Sequence, residues 1–287
     1  MKVLSLFDGM ACGMLAMMAA GVEVESYDAY EIDKYAVKTA THNFPMIEQH
    51  GDVFKEDFTK YDGVDFLVGG SPCTYWSIAQ TKNRETVASG IGWELFSQYV
   101  RALREAKPKY FIYENNKSMS KEIRASIDEA FGFEAVCINS ALVSAQNRQR
   151  LYWVGKRNAD GTYSKVDVEQ PEDRGILLKD VLDCARPVCV ASRGRYIGEN
   201  GTVNKHLEAR PDGKTNTLTS VEKDNRRRKN CNDKRGRRRS RRKDWTLCNS
   251  GRRAFFLRRA VRVGRERLSR QGCFLLRRKG LSSLQGR

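Results

Sequence analysis

Asp65-Phe66-Leu67-Val68-Gly69-Gly70-Ser71-Pro72-Cys73 is the stretch that decides how this chain is read. Residues 65–68 are short and apolar, which suits a buried strand in a parallel sheet. The two glycines permit a sharp turn and a close approach of backbone to a ligand. Pro72 stiffens the segment that carries the Cys73 thiol. Ligands in open α/β sheets bind just beyond such strand ends. A cysteine there is a candidate nucleophile, because the thiolate is strongly nucleophilic near neutral pH. A buried structural cysteine is among the commonest fates of a free thiol, so this stretch alone leaves both readings open.

Upstream, residues 2–7 read as a buried first strand that runs into the glycine-bearing turn Asp8-Gly9-Met10-Ala11-Cys12-Gly13. Residues 14–20 are small and apolar and suit a helix closed by Gly21. Residues 22–27 read as a second strand, and Glu31 lies 18 residues past Gly13. Strand, glycine turn, helix, strand and acid at this spacing describe a Rossmann-like nucleotide site with the acid on ribose hydroxyls. The turn lacks the full G-x-G-x-x-G, so a nucleoside ligand fits better than a dinucleotide. Residues 33–43 read as helix and residues 50–53 as the end of a third strand. Asp52 there either reaches an adenine amino group or sits in a solvated turn.

Downstream of Cys73, residues 74–93 are polar and glycine-punctuated and read as a mobile loop over the site. An amphipathic helix is expected over 94–106 and a fifth strand over 109–113. That strand delivers Glu114-Asn115-Asn116 to the same crevice as Cys73. Glu114 is there a candidate acid or hydrogen-bond partner, or alternatively an acid at the start of a helix over 118–131. A sixth strand follows at 134–139. Arg148 and Arg150 precede a seventh strand at 151–154; at i and i+2 they point the same way and can clamp phosphate or carboxylate, or form a solvated pair. Residues 156–210 turn polar and glycine-rich and read as a small irregular recognition region carrying Arg193, Arg195 and Lys205. Residues 211–225 return the chain to the core.

The 287 residues are enough for one large or two modest domains, and 40% hydrophobic content is ordinary for a globular protein. No apolar run reaches the length of a transmembrane helix, and the N-terminus meets Asp8 too early for a signal peptide. A cytoplasmic protein is expected. The eight cysteines lack disulfide or zinc-ligand spacing, so reduced thiols and no metal site are expected. The net charge of +17 is unevenly spread. Residues 226–287 carry 24 Lys and Arg against 3 Asp and Glu, and 20 of those 24 are Arg. Residues 1–225 carry 28 basic against 32 acidic residues, with Lys ahead of Arg. The tail reads as a nucleic-acid-binding arm, a disordered tail, or a translated wrong reading frame, which the abrupt swing to arginine favours.

Taken in order, Phe7-Asp8-Gly9-x-x-x-Gly13, Glu31, Asp52, Pro72-Cys73, Glu114-Asn115 and Gln146-x-Arg148-x-Arg150 resemble the cytosine-5 DNA methyltransferases across about residues 1–155. The likeness is strongest to the de novo-type branch and its phage and bacterial relatives, which pair Leu-Phe-Asp-Gly with Gly-Gly-Ser-Pro-Cys. The resemblance implies a Rossmann-like α/β methyltransferase fold, with a mostly parallel mixed sheet and helices on both faces. It implies S-adenosylmethionine as cofactor and DNA as partner. Phe7 would lie against the adenine, and Asp8, Gly9 and Gly13 would hold the methionine moiety. Glu31 would bind the ribose and Asp52 the adenine amino group, with Val53 beside it in the cofactor site. Cys73, presented by Pro72, would add to carbon 6 of a flipped cytosine. Glu114 would hold or protonate N3, and Arg148 and Arg150 would contact the base, the phosphates and the Cys73 loop. The family's late Gly-Asn-Gly turn does not occur after Val221, where the arginine-rich tail begins, so impaired activity is expected. The alternatives are a transfer-RNA cytosine-5 methyltransferase, which Ser71 before Pro72 disfavours, or a catalytically dead nucleic-acid-binding relative.

Overall fold

The computed structural model describes residues 1–78, 83–182, 188–197, 203–217 and 226–228. A parallel core sheet begins with β1 (Lys2–Leu6), whose side chains are buried after the first, as expected of a strand covered on both faces. Helix α1 (Cys12–Ala19) leads to β2 (Ser26–Tyr30), and α2 (Lys34–Asn43) leads to β3 (Ile47–Gln49). The Asp33 carboxylate caps α2 by accepting the N–H groups of Tyr35 and Ala36. Then come β4 (Phe66–Gly69), α3 (Gly90–Ala106), β5 (Tyr110–Asn116), α4 (Lys121–Phe131), β6 (Val136–Asn139), β7 (Gln149–Arg157) and β8 (Tyr163–Lys165). The order across the sheet is β3-β2-β1-β4-β5-β7-β6, with β8 paired to β7. The strands from β3 to β5 are parallel, and β7 runs against β5, β6 and β8.

Alternation along the strands sorts the core into two faces. Val3, Tyr27, Ala29 and Ile47 pack with Met14 and Met17 of α1 and Ala40 of α2. On the other face Leu4, Leu6, Tyr113 and Trp153 pack with Phe96 and Tyr99 of α3 and Ile123, Ile127 and Phe131 of α4. The Trp153 indole N–H, fully buried, donates to Asp128 Oδ1 at 2.7 Å, tying β7 to α4. The helices therefore flank both faces of the mixed sheet, as expected.

Several elements differ from the sequence reading. β3 ends at Gln49, not over residues 50–53, because Asp52 caps a 3-10 turn there; β7 spans Gln149–Arg157, so Arg150 lies inside the ladder opposite Asn116 and does not precede the strand. β2 begins at Ser26, not at residue 22, because the Val22 N–H closes the end of α1 on the Met17 carbonyl. Helix α3 begins at Gly90, not at 94: the Glu85 carboxylate accepts the Gly92 N–H at 3.1 Å and satisfies an otherwise orphan donor of the first turn. β5 runs on through Glu114, so that residue is held inside the ladder opposite Tyr152 of β7, not beyond a strand end. Residues 156–210 are more regular than their composition suggested. They carry the β7–β8 hairpin, the short helix α5 (Leu178–Val181), and an antiparallel pair, β9 (Val188–Ile197) and β10 (Val203–Ala209). Arg193 and Arg195 fall on β9 and Lys205 on β10. β11 (Arg226–Arg228) pairs with β9, and the expectation for the rest of 226–287 lies outside the described residues.

The chain comes back over residues 210–217. Asn147 N–H donates to the Thr215 carbonyl and Thr215 N–H to the Ala145 carbonyl, each at 2.8 Å. The Lys214 ammonium reaches the carbonyls of Ala141 and Ile176 at 2.6 and 3.1 Å. This return segment braces the turn that leads into Arg148.

Candidate active site

The Pro72–Cys73 turn leaves the end of β4 beside β5. In parallel register Gly69 is opposite Tyr113, so Gly70 comes level with Glu114. Neither glycine has a positive φ; both are required by close approach. An added Cβ on Gly69 would lie 2.5 Å from the Leu6 carbonyl oxygen, and one on Gly70 would strike the Glu114 carbonyl and come within 3.1 Å of its Oε2. Pro72 then precedes a single 3-10 turn, Cys73–Tyr75, and the Cys73 thiol is part-exposed and free.

Glu114 pairs with Arg150 across the β5–β7 ladder, Arg150 Nε to Glu114 Oε1 at 2.7 Å. Burial pushes the Glu114 carboxyl up, and the guanidinium groups of Arg150 and then Arg148 oppose it. Burial pulls Arg150 down, with Arg148 adding to this, while Glu114 and then Cys73 act the other way. Cys73, Glu114 and Arg148 thus all lie near enough to bear on Arg150. Arg148 also bears on Cys12 at the start of α1, which links this cluster to the first turn. Burial, and then the nearby Asp8, raise the Cys12 thiol.

That first turn is strained and acidic. Phe7 and Ala11 both hold left-handed backbone conformations, φ 56° and 60°, a conformation that costs a non-glycine residue about 1–3 kcal/mol and gathers at binding sites. Gly9, at φ 62°, has open space around its Cα, and its N–H donates to Glu31 Oε2 at 2.8 Å. Glu31 Oε1 accepts the N–H groups of Ile32 and Asp33, each at 2.8 Å. A carboxylate has about four acceptor positions, so one remains for a hydroxyl donor. Gly13 leaves room for Tyr27, whose Oη would be 2.9 Å from an added Cβ. Asp8 Oδ1 accepts the hydroxyls of Ser5 and Tyr27 at 2.7 Å each, while Oδ2 is buried and without a partner. Burial pushes Asp8 up, against those two hydrogen bonds. Asp52 accepts the Phe54 N–H at 3.1 Å and starts a short 3-10 turn. The Val53 side chain is buried in the core, with its carbonyl taken by Arg101 at 2.7 Å. An orphaned acid oxygen, a ribose-ready carboxylate and exposed Ile32 and Phe54 fit the ammonium, ribose and adenine of S-adenosylmethionine.

Several contacts had no sequence signal. Residues 83–89, read as part of a mobile loop, are anchored. Glu85 Oε2 accepts the buried Trp76 indole N–H at 3.0 Å, and Arg84 donates to the carbonyls of Trp76 and Ser118 at 3.2 and 2.8 Å. Asp28, in the middle of β2, and His50, just past β3, pair at 2.8 Å; Tyr30 stacks on the imidazole, and Glu48 lies close enough to complete a cation-sized group.

The C-5 cytosine-specific DNA methylase family model matches residues 1–267. The chain belongs to this family. Among curated relatives it is 37% identical to the orphan methyltransferase M.SPRI of Bacillus phage SPR over 169 residues, which cover 55% of this chain and 38% of that protein. It is 32% identical over 201 residues to the type II methyltransferase M1.ScrFI of Lactococcus lactis subsp. cremoris, covering 63% and 49% respectively. The chain therefore spans half or less of the length of these relatives. A solved structure from E. coli, described as a DNA modification methyltransferase encoded within a prophage, matches 64% of this chain and 55% of its own. Its TM-score is 0.50 at 21% identity, which supports the shared methyltransferase fold. Among the described residues no helix is long and apolar enough to cross a membrane.

Proposed function

We propose that this C-5 cytosine DNA methylase family chain methylates carbon 5 of cytosine in DNA through a covalent Cys73 adduct. One observation carries the reading: Glu114 and Arg150 are paired at 2.7 Å beside the Pro72–Cys73 turn, with Cys73 acting on the same guanidinium. Carbon 5 of cytosine is a poor nucleophile until a group adds to carbon 6. The Cys73 sulfur would form that bond while N3 takes a proton from Glu114, whose buried carboxyl holds protons more tightly than usual. S-adenosylmethionine, when bound, supplies the methyl group. Asp8, Gly9, Gly13, Glu31 and Asp52 would hold it, with Phe7 against its adenine; Val53, its side chain in the core and its carbonyl on Arg101, would back Asp52 from behind. Loss of the carbon 5 proton to a solvent base would then re-form the ring double bond and expel the Cys73 thiolate, while N3 returns its proton to the Glu114 carboxylate. Arg148 and Arg150 would hold the base and flanking phosphates. The cytosine must leave the duplex to meet a thiol in a crevice.

A chain with this reaction would work in the cytoplasm of a bacterial or phage-infected cell. The arginine-rich residues 226–287, which contain no Gly-Asn-Gly turn, would leave cofactor binding weak. The test is tritium transfer from methyl-labelled S-adenosylmethionine, at millimolar concentration, to duplex DNA. Transfer by the wild-type chain and none by Cys73→Ser is expected; salt-dependent DNA binding without transfer would make this a non-catalytic relative. Calorimetric titration with the cofactor should give binding weaker than micromolar, and ordinary micromolar binding would remove the impairment.

A further inference from the structure

β5 alternates its side chains between two faces, and Glu114 is flanked by Tyr113 and Asn115 on the other face from its own. Both neighbours reach Ser71, two residues before Cys73. Tyr113 Oη and Ser71 Oγ are 2.6 Å apart and buried. The Asn115 amide donates to Tyr113 Oη at 3.1 Å and to the Ser71 carbonyl at 3.2 Å. Ser71 is 3% exposed and Tyr113 and Asn115 are no more than 1%, so water does not compete for these bonds. Burial keeps the Tyr113 phenol protonated. Either hydroxyl can donate in this pair, and the Asn115 amide donates to the Tyr113 oxygen beside it.

We propose that the Ser71–Tyr113 hydroxyl pair is a positioning device that sets the Cys73 thiol against Glu114. The pair fastens the residue before Pro72 to the residue before the acid. Pro72 has a fixed φ, so little freedom is left between that anchor and the thiol. The same β5 backbone that carries Tyr113 carries Glu114, so nucleophile and acid share one reference. A small displacement at such a point is costly, since misplacing reacting atoms by about 1 Å can lower a rate about 100-fold. Neither hydroxyl faces the crevice, so their role is in placement and not in contact with the base.

The inference rests on the Cys73 reading proposed above, and its test separates the two. Tyr113→Phe, Ser71→Ala and the double variant are compared in the full chain by two measurements. The first is single-turnover methyl transfer with its KM for DNA. Each single variant should lower the rate constant about tenfold, the effect of one hydrogen bond, with KM for DNA unchanged. The double variant should be no slower than the singles, because the two hydroxyls act as one unit. The second is the rate at which iodoacetamide alkylates Cys73 in the folded protein, read by mass spectrometry with Cys12 as internal reference. Tyr113→Phe should raise the Cys73 rate about threefold or more through local loosening and leave Cys12 unchanged. If wild type transfers no methyl group, the catalytic reading fails and the alkylation rates alone decide the positioning role. Rate constants and Cys73 alkylation equal to wild type in both single variants, in protein that unfolds cooperatively, would overturn it. So would a fall in rate that comes entirely from KM.

Discussion

Replacing Arg150 with Met removes the charge nearest Glu114 while keeping a long apolar side chain. In the wild type the pair is 2.7 Å apart, and the two side chains are 12% and 36% exposed. Burial raises the Glu114 carboxyl, and Arg150 is the largest opposing influence. A carboxyl beside a guanidinium is typically held down by about 1–3 pH units. Arg148 stays in place, so part of the opposing charge remains, and Glu114 in Arg150→Met should titrate above its wild-type value. The sign for stability follows. A carboxyl whose folded-state pKa is raised favours folding while protonated, below its unfolded value near 4.3. That contribution is lost as pH rises through the folded value. Arg150→Met moves this loss upward and deepens it, so the variant should be more destabilised at pH 8 than at pH 5. A hydrogen bond to a charged group is worth about 1.5–3 kcal/mol; with Glu114 36% exposed the expected difference is about 1 kcal/mol. Urea unfolding at the two pH values measures it. In a Glu114→Gln background the pH difference should vanish, since Gln does not titrate. Equal destabilisation by Arg150→Met at pH 5 and pH 8 would refute the coupling.

Three further outcomes follow from the packing. Trp153→Phe keeps an aromatic ring but strips Asp128 of a charge-assisted hydrogen bond, so urea unfolding should show a loss of about 2–3 kcal/mol. Gly70→Ala drives a Cβ into the Glu114 carbonyl; a loss of about 1–3 kcal/mol in thermal or urea unfolding is expected, with methyl transfer falling at the same time. Glu85→Ala leaves the Trp76 indole and Gly92 N–H groups without their acceptor, and limited proteolysis should cut within residues 74–89 faster than in wild type. Glu85→Gln, which keeps an acceptor oxygen, should fall between the two.

The parts of this protein legible in its sequence are those governed by local rules. An apolar β1 followed by a glycine turn, and β4 followed by Gly69-Gly70, announce strands that end at a ligand crevice. Glu114, Arg148 and Arg150 were legible as residue types at strand ends, although β5 runs through Glu114 before the chain leaves the sheet. What was hidden depends on distant partners. The start of α3 is set by Glu85, five residues outside the helix. The alternating Val22-Glu23-Val24-Glu25 mimics a strand, but Val22 is spent closing α1 and the ladder starts at Ser26. Ser71 reads as a residue that merely precedes proline. Its value emerges when the β4–β5 register sets it against a buried tyrosine 42 positions away. The Asp28–His50 pair likewise exists because the parallel β2–β3 register sets Asp28 opposite Glu48, two residues before His50.

The most direct test of the central claim uses duplex DNA with 5-fluorocytosine at candidate targets, incubated with the chain and millimolar S-adenosylmethionine. Fluorine at carbon 5 cannot leave as the proton does, so the Cys73–carbon 6 bond formed during transfer would persist. The account predicts a denaturant-stable protein–DNA adduct, mapped by mass spectrometry to the peptide containing Cys73 and absent from Cys73→Ser. No adduct at saturating cofactor, or an adduct that survives in Cys73→Ser, would contradict it.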